Sequence, residues 1–288
     1  MKRQNRHIGL ALFVFLFSLI FSDTTYAAQF HRTQVIRSIP LTIIIKAPTS
    51  KRDPVFKAMQ NTFETADIYF DLWSLENKAG DIYKINHSAG IKPVKVQANT
   101  LELIQSALLL NQQTKGVFDI LYPTPRRLRK YNATEIIINT KQQTVFLPNP
   151  QYKIDSNGIA KGQILDILSQ QLDSLGFKKY LINAGGDLKA RGSWPVCLKS
   201  PMTESTDCVV SFRIKNKAVM TSGNYERGVH IFNPKEPHFK PKNKSTTVVG
   251  KKAGIAGPLA VVLFIKPEFE NEFITFFKLD RVYQQTDK

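Results

Sequence analysis

The apolar positions of this chain repeat with two different periods. Val35 to Ile45 reads as a strand, with Thr42-Ile43-Ile44-Ile45 β-branched throughout. Asp53-Pro54 then opens a helix, with Asp as the cap and Pro in the first turn. Phe56, Met59, Phe63, Ala66 and Phe70 follow at helical spacing and predict one buried stripe. Asp81 to Asn86 reads as a short link. A second helix is predicted over 99–112, with Leu101, Ile104, Ala107 and Leu108 on one face. A third runs over 161–175 with Ile164, Leu165, Leu168, Leu172 and Leu175, and Gly176 is placed to end it.

Strand patterns dominate the second half. Lys179 to Asn183 runs into a Gly-Gly turn, and Trp194 to Leu198 is strand-like. Further strands are predicted over 208–214, 218–221, 228–232 and 246–249. Pro258 precedes an apolar run, Leu259 to Ile265, and Pro267 opens a last amphipathic helix to Phe277. Helices and strands mix without regular βαβ alternation. The fold class is therefore α+β (mixed α/β), in a single compact domain. No repeat, phosphate-binding P-loop or His-Glu-x-x-His motif is present.

The first 27 residues stand apart from this pattern. Lys2, Arg3 and Arg6 precede the apolar stretch Ile8 to Phe21, and Thr25-Tyr26-Ala27-Ala28 follows. This predicts a secretory signal peptide over 1–27, cut near Ala27, and a folded domain over 28–288. An uncleaved anchor is the competing reading, but the stretch is short for a span of about 20 residues. No Cys lies at the cut, which excludes a lipoprotein anchor. The expected location is outside the cytoplasm, in a bacterial periplasm.

Composition narrows the partners. The 288 residues carry a formal charge of +17. Such a balance favours anionic partners, but lysines are scattered along the whole chain. Arg126 to Lys130 is the one dense basic run. A nucleic-acid module would rest on that run and the net charge alone, and export argues against it. Cys197 and Cys208 are the only cysteines. Each abuts a strand-like run, and an oxidising compartment would permit their pairing, which the sequence leaves open.

Candidate chemistry gathers in four small-residue turns, each beside an apolar run. They are Ser156-Asn157-Gly158-Ile159-Ala160-Lys161-Gly162, Asn183-Ala184-Gly185-Gly186-Asp187, Thr221-Ser222-Gly223-Asn224-Tyr225 and His230-Ile231-Phe232-Asn233-Pro234. The first runs into a helix N-terminus, a natural anion site, with Lys161 adding a point charge. It is equally an ordinary helix start capped by Ser156 or Asn157. Gly185 and Gly186 permit positive φ and close approach of a ligand, or simply a tight strand connection. Thr221, Ser222 and Asn224 offer hydrogen-bonding side chains, or a generic turn. His230 has a side chain suited to proton transfer near neutrality.

Taken together, in this order, the four segments resemble the ApbE-type flavin transferases, the FAD:protein FMN transferase family. Upstream, Thr114-Lys115-Gly116-Val117-Phe118-Asp119-Ile120 resembles another family motif, as do Trp73-Ser74 and Ile82 to Asn86. The resemblance runs from about Phe63 to Ile265. It implies an enzyme that cuts FAD, releases AMP and esterifies FMN to a Thr or Ser of an exported acceptor flavoprotein. It also implies an inner-membrane association through that acceptor. Val117, Phe118, Asp119, Asn157 and Gln163 would line the flavin site, with Lys161, Gly185, Gly186, Thr221, Ser222 and Phe232 from the four turns. His230 would be catalytic, moving the proton. The main-chain carbonyl of Ala160 would be one ligand of a magnesium ion.

The chain departs from the family at the other metal ligands. An Ala-Asp-Ala-x-x-Thr segment is matched here by Ala256-Gly257-Pro258-Leu259-Ala260-Val261. Gly257 and Val261 supply no oxygen side chain, whereas magnesium wants oxygen ligands. Two function readings follow: an active transferase, or a catalytically impaired FAD-binding relative.

Overall fold

The computed structural model describes residues 27–128, 135–200, 208–224 and 243–286, with positions 231, 233, 236 and 239–241. The proposed signal segment, all but its last residue, lies outside these, as does much of the 228–232 strand and part of the basic run 126–130.

The described residues begin with a hairpin, β1 (Ala27–Ile36) and β2 (Ile39–Pro48). This corrects the single strand expected over 35–45. Arg37 and Ser38 make the turn with φ of 48° and 63°. Two positive φ angles match the twist of the paired strands, but neither residue type announces such a turn. Helix α1 (Arg52–Leu72) starts one residue before Asp53, and its N-cap is Lys51, with no side-chain capping bond. Asp53 instead places a favourable charge in the first turn.

The expected link at 81–86 is a helix, α2 (Asp81–His87). It is held from outside itself. The buried Asp81 carboxylate accepts from the Thr100 hydroxyl at 2.7 Å and from Gln97 N–H at 2.9 Å, and Thr100 accepts from the Trp73 indole at 3.0 Å. Asp81 thereby satisfies the N-terminal end of α3 (Ala98–Gln113). A small sheet follows, formed by β3 (Val94–Lys95), β4 (Ile137–Asn139) and β5 (Thr144–Phe146) in the order β3-β5-β4.

The remaining elements build the main layers. They are α4 (Asn157–Ser174), β6 (Tyr180–Ala184), β7 (Asp187–Arg191), β8 (Ser193–Lys199), β9 (Cys208–Lys215), β10 (Ala218–Gly223), β11 (Ser245–Gly250), α5 (Ala253–Ile265), α6 (Glu270–Phe276) and β12 (Arg281–Gln285). A seven-stranded antiparallel sheet has the order β1-β2-β6-β7-β10-β11-β12. Strand β12 closes one edge and carries no pattern strong enough to foresee.

Alternation along the strands assigns the two faces. Leu41, Ile43, Ile45, Tyr180, Ile182, Met220 and Val248 face a core shared with α1, α4 and α5. Ile44, Leu181, Val219 and Val249 face a smaller core under the β8–β9 hairpin, with Trp194, Val196 and Ile214. The Cys197–Cys208 disulfide joins the two strands at the loop end of that hairpin, with 5.3 Å between the Cα atoms. The pairing left open by the sequence is thus formed.

Helix α5 is apolar on all sides, and Pro258 lies inside it rather than at its start. Complete burial of Leu259, Ala260, Val262 and Leu263 outweighs the local cost of an interior Pro. The helix is anchored to α4 by one carboxylate. Asp166 accepts from Ala253 N–H at 3.1 Å and Gly254 N–H at 2.9 Å, and pairs with Lys189 of β7 at 2.5 Å. Alongside, Gly162 lies so close that an added Cβ would come 2.4 Å from the Ala253 carbonyl oxygen.

That contact is backbone against side chain, so it cannot relax by a rotamer change. Gly162→Ala is expected to lower stability by about 2 kcal/mol. A urea unfolding midpoint equal to wild type would show that α4 and α5 can separate at no cost.

Candidate functional site

The site is built on a gap in the large sheet. Strand β10 pairs with β11 along its whole length, but with β7 only at Ala218–Lys189 and Val219–Leu188. Beyond Val219 the strands part. Asp187 spans the opening by accepting the Thr221 N–H at 2.8 Å. A cavity of about 680 Å³ occupies this end of the sheet, within the range of sites that hold small molecules and cofactors.

Four walls meet there. The first is the segment 117–122, set by its own hydrogen bonds. Asn111 Nδ2 donates to the Phe118 carbonyl at 2.8 Å, and Thr114 Oγ1 accepts the Phe118 N–H at 3.0 Å. Gly116, at φ 76°, makes the turn between them. The second wall is the start of α4. Neither Ser156 nor Asn157 caps it. Ser156 Oγ instead donates to the Trp73 carbonyl at 2.8 Å, and Asp155 Oδ1 accepts the Asn157 N–H at 2.7 Å. Asn86 grips the same stretch, donating to Ile154 O at 2.9 Å and accepting Ile154 N–H at 2.8 Å. Trp73 and Asn86 therefore hold the site-bearing loop from behind.

The third wall is the β6–β7 turn. Gly185 and Gly186 have φ of 59° and 96°, and Asn183 Oδ1 accepts the Gly186 N–H at 2.8 Å. A Cβ at Gly186 would meet nothing within 4 Å, so backbone geometry rather than space demands glycine. The fourth wall joins β10, β8 and α5, through Thr221, Ser222, Met220, Lys199, Gly257 and Val261.

Of the residues singled out in the sequence, Val117, Phe118, Asp119, Asn157, Lys161, Gly185, Gly186, Thr221 and Ser222 line this one cavity. Gln163 does not. It lies on α4 against Gly254, where an added Cβ would come within 2.7 Å of its amide carbon. Ala160 is buried in the first turns of α4 and does not line the cavity either. His230 and Phe232 lie outside the described residues. Sequence reasoning did not single out Tyr122, Lys199, Thr247 and Gln285, all of which line it. Lys199, Thr247 and Gln285 come from strands brought together only by the fold, with Gln285 donating to Lys199 O at 3.2 Å.

Charge in the site is paired. Lys161 Nζ lies 2.5 Å from the buried Asp187 carboxylate. Tyr122 donates to Asp155 at 2.6 Å. Burial, then the hydrogen bond and charge of Asp155, hold the Tyr122 phenol well above its ordinary value of 10.0. It is a neutral donor across the physiological range. Gly158 leaves room for the Phe118 ring, whose edge would lie 3.1 Å from an added Cβ. The arrangement offers a helix N-terminus with an ammonium group, a flat aromatic ring, and hydroxyls from Thr221 and Ser222. That combination suits an anionic ligand with a planar ring.

Comparison with known proteins bears on the family and the fold. The ApbE family model matches residues 24–275. An FAD:protein FMN transferase of Klebsiella pneumoniae (strain 342) is 29% identical over 185 residues, covering 57% of this chain and 58% of that protein. The chain thus matches little more than half of that relative's length. A second, from Haemophilus influenzae, is 23% identical over 236 residues, covering 68% of each. The crystal structure of the ApbE protein from Thermotoga maritima superposes with a TM-score of 0.76 at 21% identity, covering 90% of this chain and 97% of that one. The flavin transferase ApbE from Vibrio cholerae gives 0.73 at 20% identity, with the same coverage. These two likenesses carry the fold.

The Tyr122–Asp155 bond joins two walls of the cavity, so its loss is measurable. Tyr122→Phe is expected to cost about 1 kcal/mol at neutral pH, for a half-exposed hydrogen bond to a carboxylate. The raised phenol has a second effect. Above 10.0 the unfolded chain releases a proton that the folded chain keeps, so Tyr122 lends stability below that value and loses it as pH climbs. Urea titrations at neutral and alkaline pH should show the variant's stability falling less steeply than wild type. Equal slopes would mean that Tyr122 is not held by Asp155.

Proposed function

The chain belongs to the ApbE family, and on that premise we propose that it is an exported FAD:protein FMN transferase, acting in the bacterial periplasm after loss of residues 1–27. In this reading FAD lies in the cavity. A Thr or Ser hydroxyl oxygen of an acceptor flavoprotein attacks the FMN phosphorus. The bond to the AMP oxygen breaks, AMP leaves, and FMN remains joined to the acceptor as a phosphoester. His230 takes the hydroxyl proton, as the motif resemblance implies. Membrane association would come through the acceptor. Among the described residues, no helix is long and apolar enough to cross a membrane.

The observation that carries this reading is the convergence of the motif residues on one cavity of suitable size. The α4 N-terminus and Lys161 would offset phosphate charge. Phe118 and Val117 offer the apolar surface for a ring. Thr221 and Ser222 supply hydrogen-bonding groups. Positioning and charge neutralisation are most of what phosphoryl transfer asks of a protein.

The family's magnesium does not fit the residues present. Gly257 and Val261 line the cavity and bring no side-chain oxygen to it. Among the described residues, no group of three or more His, Cys, Asp or Glu could hold a metal ion. No step is therefore drawn through a metal. The same observation favours a second reading, a relative that binds FAD without transferring FMN.

Incubation of the purified mature chain with FAD and a Thr-containing acceptor domain separates the two. Transfer predicts an acceptor mass increased by FMN, and His230→Ala is expected to slow it by about 100-fold or more while FAD remains bound. FAD bound without any mass change would leave the second reading. A chain that binds no FAD would sink both.

A further inference from the structure

We propose that this cavity holds its flavin through the ring, without a divalent cation on the diphosphate. The inference rests on the flavin reading above and concerns how that ligand is recognised.

Three observations support it. First, positions 257 and 261 stand one helical turn apart on α5 and both line the cavity. With Met220 and Ile265 they make this wall apolar. A hard cation wants several oxygen ligands in near-octahedral array, and the α5 part of the wall offers none from its side chains.

Second, among the described residues, each carboxylate lining the cavity is already engaged by the chain's own donors. Asp119 accepts from Leu121 N–H at 2.9 Å. Asp155 accepts from Tyr122 at 2.6 Å and Asn157 N–H at 2.7 Å. Asp187 accepts from Thr221 N–H at 2.8 Å and lies 2.5 Å from the Lys161 ammonium. A cation recruited to Asp187 would sit beside that ammonium, and like charges at such range repel strongly.

Third, the described lining is not cationic: the carboxylates of Asp119, Asp155 and Asp187 outnumber the ammonium groups of Lys161 and Lys199. The α4 N-terminus and a Lys161 already paired with Asp187 offset the diphosphate charge only in part, so the tail adds less than it would in a lysine-rich site. Burial of a flat ring against Phe118 and the α5 wall is favourable whatever the ligand's tail carries. The ligand class is therefore any flavin, with the ring as the common element.

The test is titration of the full mature chain with riboflavin, FMN and FAD, followed by flavin fluorescence, with excess magnesium or excess EDTA. Affinities for FAD in the two conditions are expected to agree within about twofold, and riboflavin to bind within about fivefold of FAD. Magnesium tightening FAD by about tenfold or more would overturn the proposal. So would riboflavin binding more than about tenfold weaker than FAD. Absence of binding by all three flavins would instead remove the flavin reading itself. The double variant Gly257→Asp, Val261→Thr extends the test. An added Cβ at 257 comes 3.2 Å from the Met220 methyl, which a flexible side chain can yield. The variant should gain a magnesium response with FAD and none with riboflavin. No gain with FAD would overturn the assignment of cation independence to these two positions.

Discussion

The close packing of α4 on α5 is the constraint from which the site follows. Gly162 brings the two helices together at the Ala253 backbone, and Asp166 satisfies the first N–H groups of α5. Lys189 completes the junction by bonding both Asp166 and the Lys251 carbonyl. Three elements distant in sequence are thereby locked in one orientation. That orientation turns positions 257 and 261 toward the cavity and sets Lys161 beside Asp187. Were the helices a side chain further apart, the α5 wall would no longer close the site.

The cavity itself is a consequence of incomplete pairing. A continuous β7–β10 ladder would fill this end of the sheet with backbone hydrogen bonds. The strands separate instead, and a buried carboxylate satisfies the freed Thr221 N–H. A buried backbone donor must find some partner, and here the partner is also tied to Lys161. Sheet topology and site electrostatics are in this way one arrangement. The disulfide-linked hairpin supplies Lys199, so the part of the fourth wall that β8 contributes is braced by a covalent bond.

Local chemistry announced some of these features and concealed others. The stripes of α1, α3 and α4 were legible because each buries one face, and burial of one face leaves a period of 3.6. Helix α5 left no such period, because it is buried on every side and its Pro reads as a boundary. The turn at Arg37 and Ser38 lacks the residues that favour positive φ. Strand β12 is an edge strand whose residues are only half-buried, so it shows no alternation. At the site, glycine turns could be read because backbone conformation restricts the residue type. Tyr122, Thr247 and Gln285 could not, since a hydrogen-bonding side chain looks the same in a turn or a strand whether or not it faces a cavity.

By itself the sequence determined the helix stripes, the family resemblance, and which turns carry glycine and polar groups. It also determined that positions 257 and 261 hold no oxygen. The physical reason is that each depends on residues near one another in the chain, or on residue identity alone. Tertiary structure decided that most of those turns share one cavity, and that Gln163 packs between helices instead of facing it. It also decided that Cys197 meets Cys208 and that, among the described residues, every lining carboxylate already has a donor. These are matters of distance between remote segments, and such distances are set by packing and strand register.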